Sequence, residues 1–147
     1  MNKITRMIRA ATTAATAATT TAATGLALLV GPALAQQVLQ VPSGQHITLG
    51  EVLIDDRPGA IWVRFRFVAP QIGNDAGQIN YETSSADIDY LCEALVLPYL
   101  AQYDLTPARV VISLSDRPVP FGITDPEATQ FFESYSPKEN RCIWEAF

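Results

Sequence analysis

Residues 85–103, SADIDYLCEALVLPYLAQY, decide the fold. Ile88, Leu91, Cys92, Leu95 and Tyr99 recur at the three- and four-residue steps that put side chains on one helix face. Just upstream, Thr83, Ser84 and Ser85 offer hydroxyls to the open amides of a first turn, and Asp87 and Asp89 suit its positive end. Pro98 falls inside the pattern. It lacks a bond donor and its ring clashes with the preceding turn, so the helix must kink or divide there. Such a helix needs a surface to cover, and the flanking sequence supplies short strands.

Upstream, Ile61 to Val68 is the clearest strand. Ile61, Val63, Phe65 and Phe67 alternate with Trp62, Arg64 and Arg66, which predicts a buried face and an arginine-bearing one. A strand over Ile47 to Ile54 precedes it, behind a lead-in from Gln36 to Gly44. The two strands form a hairpin through Asp55-Asp56-Arg57-Pro58-Gly59, whose acids, proline and glycine are turn chemistry. Ala69 to Gln78 reads as a loop, and Ile79 to Glu82 as a short extended piece. Downstream, Leu105-Thr106-Pro107 closes the helix region. Arg109 to Ser115 is a third strand with Val110, Ile112 and Leu114 on one face. Asp116 to Gly122, with two prolines and Phe121, is a stiff loop.

A second helix is predicted from Thr124 or Asp125. Thr124 and Glu127 have capping-box spacing, Pro126 suits a first turn, and Ala128, Phe131, Phe132 and Tyr135 form a stripe that Ser136-Pro137 ends. Arg141 to Phe147 is the last strand. The order β-β-α-β-α-β predicts an α+β fold, a single small sandwich of one mainly antiparallel sheet with two helices. If Cys142 faces the central helix, so do Trp144 and Ala146. The opposite face then carries Trp62, Arg64, Arg66, Val111, Ile143 and Phe147, too apolar to be simply wet, so the second helix or a partner must cover part of it.

The first 35 residues read as a cleaved signal peptide. Lys3, Arg6 and Arg9 make a basic start, Gly25 to Val30 an apolar run, and Ala33-Leu34-Ala35 a small-x-small cleavage signal before Gln36. An uncleaved anchor is the rival, but the apolar run is far shorter than the roughly 20 residues a spanning helix needs. A periplasmic or secreted location is therefore expected, for one domain over residues 36–147. Cleavage removes three of the 10 basic residues and leaves seven against 15 acidic ones, so the formal charge moves from −5 to −8. An acidic surface repels phosphates, which argues against nucleic acid and against anionic membrane surfaces once the signal is gone. Both cysteines lie in the mature part, and an even count in an oxidising compartment reads as a bridge between Cys92 and Cys142. A redox or metal-binding pair is the alternative, but the chain has no CxxC and one histidine, His46.

No catalytic constellation is recognisable, and no cofactor or metal is expected. His46 has no second histidine, nor a serine in a nucleophile elbow, to build a triad with. Asp55-Asp56 lacks the surroundings of a calcium loop. Asp87, Asp89 and Glu93 crowd the helix start and motivate an acid–base alternative, although Asp87 and Asp89, two apart, point to different sides. The candidate binding residues are Trp62, Arg64 and Arg66, which suit an anion or an aromatic partner, and Asp116 and Arg117 in the stiff loop. Their plainer reading is a solvated outer face, its arginines paired with acids of neighbouring strands, and a loop that only connects.

Val63 to Pro70 (VRFRFVAP), Val111 to Gly122 (VISLSDRPVPFG), Gln130 to Tyr135 (QFFESY) and Cys142 to Phe147 (CIWEAF) together resemble an uncharacterised family of small exported bacterial proteins, a domain of unknown function. The resemblance runs from about Val41 to Phe147. It implies export and a single small domain, and transfers no activity, ligand or catalytic residue. The expectation is a non-enzymatic exported binding or accessory protein, with a protein partner or self-association. A small periplasmic hydrolase using carboxylates is the alternative.

Overall fold

Alternation of apolar and polar side chains makes Trp62–Val68 a central strand with Val63, Phe65 and Phe67 buried, in a computed structural model that describes residues 37–56, 59–73 and 79–146. The expected signal peptide and its cleavage point lie outside those residues, as do Arg57, Pro58, residues 74–78 of the expected loop and Phe147. Six strands form one curled sheet in sequential order: β1 (Val38–Leu39), β2 (Ile47–Asp55), β3 (Trp62–Val68), β4 (Arg109–Ser115), β5 (Gln130–Lys138) and β6 (Arg141–Glu145). Neighbours are antiparallel except β3 and β4, which run parallel with Phe65 opposite Ile112. Parallel neighbours need a crossover, and the one long helix of the described residues provides it.

That helix, α1, comprises Tyr81–Leu91, a wide π turn over Cys92–Val96, and Leu97–Gln102. It begins earlier than its apolar pattern suggests. The cap is Asn80, whose side chain accepts from the Thr83 amide at 2.9 Å, so Tyr81 and Glu82 are helical rather than extended. The π turn answers the problem of Pro98. The Leu97 amide reaches back to the Cys92 carbonyl, and Pro98 then sits at the start of a fresh α segment, where its missing N–H costs nothing. The wide turn also moves the buried stripe by one residue. Ile88, Leu91 and Cys92 are fully buried as read, but beyond the turn Val96 and Leu100 take the core while Leu95 and Tyr99 are half-buried beside it.

The expected second helix is a strand. Thr124 to Ala128 folds only a single turn, with Asp125 Oδ1 accepting from the Glu127 amide at 3.0 Å. From Gln130 the chain pairs with β4. Phe131, Glu133 and Tyr135 point to the helix side and Phe132, Ser134 and Ser136 to the other, an alternation that aromatic and hydroxyl side chains favour. Pro137 does not end the strand. The last β4 pair is Val110 with Tyr135, so no β4 ladder bond needs the proline's missing N–H. Glu139 and Asn140, at φ of 50° and 57°, make the two-residue turn into β6. The element order is thus β-β-β-α-β-β-β. The chain is α+β and its sheet mostly antiparallel, as expected, but with one helix of 22 residues on one face rather than two.

The core lies between α1 and the inner sheet face: Ile47, Val63, Phe65, Phe67, Val110, Ile112, Leu114 and Tyr135 against Ile88, Leu91, Cys92, Val96 and Leu100. Cys92 and Cys142 are bonded, with alpha carbons 6.2 Å apart, which ties the middle of the helix to edge strand β6. No helix among the described residues is long and apolar enough to cross a membrane.

Candidate functional site

The sheet face turned away from α1 gathers three of the five candidate residues. Pairing places Trp62 beside Arg109, Arg64 beside Val111, and Arg66 beside Ser113, whose neighbour on the other side is Phe132. No helix of the described residues covers this face. The stiff loop that follows β4 crosses it instead, held where Arg66 Nη2 donates to the Val119 carbonyl at 2.6 Å. Val119 is buried there, while Phe121 lies near the guanidinium groups of Arg64 and Arg66, 5.7 and 5.6 Å from its ring centre.

Three arginines of this face, Arg64, Arg66 and Arg109, each have an acid. Arg64 meets Asp55 at 2.9 Å, Arg66 meets Glu51, and Arg109 meets Glu145 at 2.7 Å. Glu145 also accepts from the Ser136 hydroxyl, and that bond, with Arg109 adding to it, holds its carboxyl below the usual glutamate range. Trp62 lies between two of these cations, 5.2 Å from Arg64 and 5.1 Å from Arg109, and is half-buried beneath them. Around Trp62 and the two strand arginines this face is therefore balanced in charge, with Arg64 and Arg66 paired to acids of the neighbouring strand as in the plainer of the two sequence expectations. What it offers a ligand is apolar and aromatic surface.

That surface forms two adjoining clefts, each about 240 Å³, which share Arg66, Ser113 and Gln130. One opens toward Gly50, Glu51 and Arg117. The other is walled by Phe121, Ile123 and Phe132, which are 41%, 63% and 50% exposed, large values for side chains of this kind. Arg117 thus reaches the rim of the site. Asp116 does not: its side chain turns down against Gly73, where a Cβ would stand 2.8 Å from Asp116 Oδ2, and there pairs with Arg117 at 3.0 Å. Phe132 was missed by sequence reasoning because its segment was read as a helix, and Ile123 because it falls between that segment and the stiff loop. Alternation over QFFESY is the signal that would have turned Phe132 outward.

The acids at the helix start separate. Asp87 is fully buried and accepts from the Ser43 amide at 3.0 Å, the Ser43 hydroxyl and the Gln45 side-chain amide. It clamps the lead-in loop to the helix, rather than only complementing the helix dipole. Asp89 accepts from the Tyr135 hydroxyl, and with Glu93 lines a third cleft of about 450 Å³ beside Trp144 and Cys142. Burial, then the bond to Asp89, pushes the Tyr135 hydroxyl far above the ordinary tyrosine range. Nearby, buried Glu133 accepts from the Tyr81 hydroxyl, Ser85 Oγ at 3.1 Å and Trp144 Nε1 at 2.6 Å, and its bond holds the Tyr81 hydroxyl up as well. His46 is exposed and its amide donates to Gln71. No group of three His, Cys, Asp or Glu among the described residues could hold a metal ion.

A small disulfide-tied α+β domain with a loop-roofed groove on the bare side of its sheet is the class that fold and site define. The chain belongs to a family of unknown function, DUF6497, whose model matches residues 11–147. No curated protein and no solved structure matches it.

Proposed function

We propose that this is a non-enzymatic exported binding or accessory protein whose outer-face groove receives apolar side chains of a protein partner. The observation that carries the reading is the wall of Phe121, Ile123 and Phe132, left exposed around a cleft whose arginines are already neutralised by acids. Aromatic residues and arginine are the composition that interface cores favour. The partner is not nucleic acid and not a membrane surface, since the exported chain would carry a formal −8, with seven basic against 15 acidic residues. Export rests on the basic start, apolar run and Ala33-Leu34-Ala35, with the Cys92–Cys142 bond in keeping with an oxidising compartment. N-terminal sequencing of the protein from a periplasmic extract should begin at Gln36, and recovery of Met1 from the cytosol would remove the exported part of the reading.

A photo-crosslinking residue tests the groove in the cell. At position 123 it should yield a discrete adduct with one partner. At Gln102, exposed on the helix, it should not. Equal adducts from both positions, or none from the groove, would defeat the proposal. One observation keeps carboxylate-dependent hydrolysis as a second reading: Asp89 and Glu93, one helical turn apart, share a cleft. A hydrolytic activity abolished by both Asp89→Asn and Glu93→Gln would favour it.

A further inference from the structure

The outer edge of β6 is a second surface, separate from the groove. β6 ends the sheet, and no strand of the described residues pairs with its far side. The two-residue turn at Glu139 and Asn140 makes Lys138 and Arg141 a pair that exchanges both ladder bonds. The next residues alternate, so Cys142 and Trp144 aim their N–H and C=O groups away from β5, at the open edge. The other end of the sheet is blunted, because β1 is only two residues long. β6 has five, carries Ile143 at 41% and Trp144 at 58% exposure, and is fixed to the helix through Cys142. Exposed edges of this kind are templates for another strand.

The sequence of β6, Arg141-Cys142-Ile143-Trp144-Glu145, says which strand. Laid antiparallel on a second copy of itself and centred on Ile143, it puts Arg141 of each copy opposite Glu145 of the other. Arg141 has no acid partner among the described residues, so this register supplies one. Cys142 and Trp144 then face each other as hydrogen-bonded pairs, which closes the free amides and carbonyls of both edges. The two Ile143 side chains meet at the axis on the groove side of the sheet. On the helix side, Trp144 of each copy stands opposite Cys142 of the other, while its ring stays bonded to Glu133 of its own chain. A shift by one or two residues loses the charge match. We infer that the chain forms a two-fold dimer through β6, joining two six-stranded sheets into one continuous sheet. Only two short strands are in contact, so the association is weak and visible as a concentration dependence.

Sedimentation of the full, oxidised chain as recovered from the cell, from low micromolar to near-millimolar concentration, reads the equilibrium. A monomer–dimer transition is expected. Arg141→Glu changes an exposed residue and sets like charges opposite each other twice in the dimer, which should weaken association by roughly tenfold. Ile143→Cys places two thiols at the axis, where directly opposed strand positions are close enough to bond. It should give a covalent dimer under mild oxidation, with the native bridge intact by mass. A monomer at every concentration overturns the inference. So does a dimer that Arg141→Glu leaves unchanged and Ile143→Cys fails to link.

Discussion

Asp87 shows how much one side chain organises. Sequence spacing assigned it to the helix dipole, a role open to any acid near an N-terminus. Its actual partners are Ser43 and Gln45, more than forty positions upstream. No local pattern encodes so distant a pairing, so the contact was not legible. Asp87→Ala would leave the Ser43 amide and the buried Gln45 amide without an acceptor, and should destabilise the fold by about 1–3 kcal/mol in chemical denaturation. Tyr135 makes a second residue-scale prediction. Its hydroxyl titrates higher in the folded chain than in the unfolded one, from burial and the Asp89 bond. The stability this contributes is fully present below the ordinary tyrosine value of about 10 and is lost as pH rises above it, because the unfolded chain ionises first. The denaturation midpoint should therefore fall above that pH, and less steeply in Tyr135→Phe.

At the scale of the element, local chemistry was legible where one period ruled. Trp62–Val68 has only alternation, and Arg109–Ser115 likewise, and both were read within a residue of their observed bounds. Residues 124–135 satisfied two periods at once. Ala128, Phe131, Phe132 and Tyr135 fit a helical stripe, while Phe131, Glu133 and Tyr135 fit a strand. The capping signals at Thr124 and Glu127 favoured the helix. Pairing with β4, a long-range gain that no local signal reports, selected the strand. The bridge between α1 and β6 was legible because the sequence has only two cysteines and both lie beyond the expected signal segment. It closes a loop with a sequence separation of 50. Replacing both cysteines by alanine should cost on the order of 2–4 kcal/mol, through the freedom returned to the unfolded chain, and should loosen β6 before the rest of the sheet. Hydrogen exchange at Ile143 and Trp144 amides in the double variant checks the second part. Exchange rising equally in β3 would argue against a local anchor.

For the whole molecule, the division of labour between the two sheet faces matters most. The helix face holds the core and the clamps made by Asp87, Glu133 and the disulfide. The outer face has no helix among the described residues, a loop for a roof, three arginines paired with acids, and a short row of exposed apolar side chains. The sequence reading identified Trp62, Arg64 and Arg66 as sharing that face, because alternation along one strand suffices for it. It could not supply the groove, whose walls come from the 120–123 loop and β5 and meet only through the sheet order.

Phe131 and Phe132 test this division directly, since they are adjacent in β5 and face opposite ways. Phe131 is half-buried against the core and edge-on to Tyr81, with ring centres 5.5 Å apart, while Phe132 walls the groove. The measurement is the thermal midpoint and the yield of the position-123 adduct, taken side by side for Phe131→Ala and Phe132→Ala. Phe131→Ala should lower the midpoint by several degrees, in line with a loss of roughly 2–3 kcal/mol for a partly buried aromatic, and spare the adduct while the chain stays folded. Phe132→Ala should leave the midpoint near wild type and remove most of the adduct. A collapse of the midpoint in Phe132→Ala with the adduct unchanged would contradict the account.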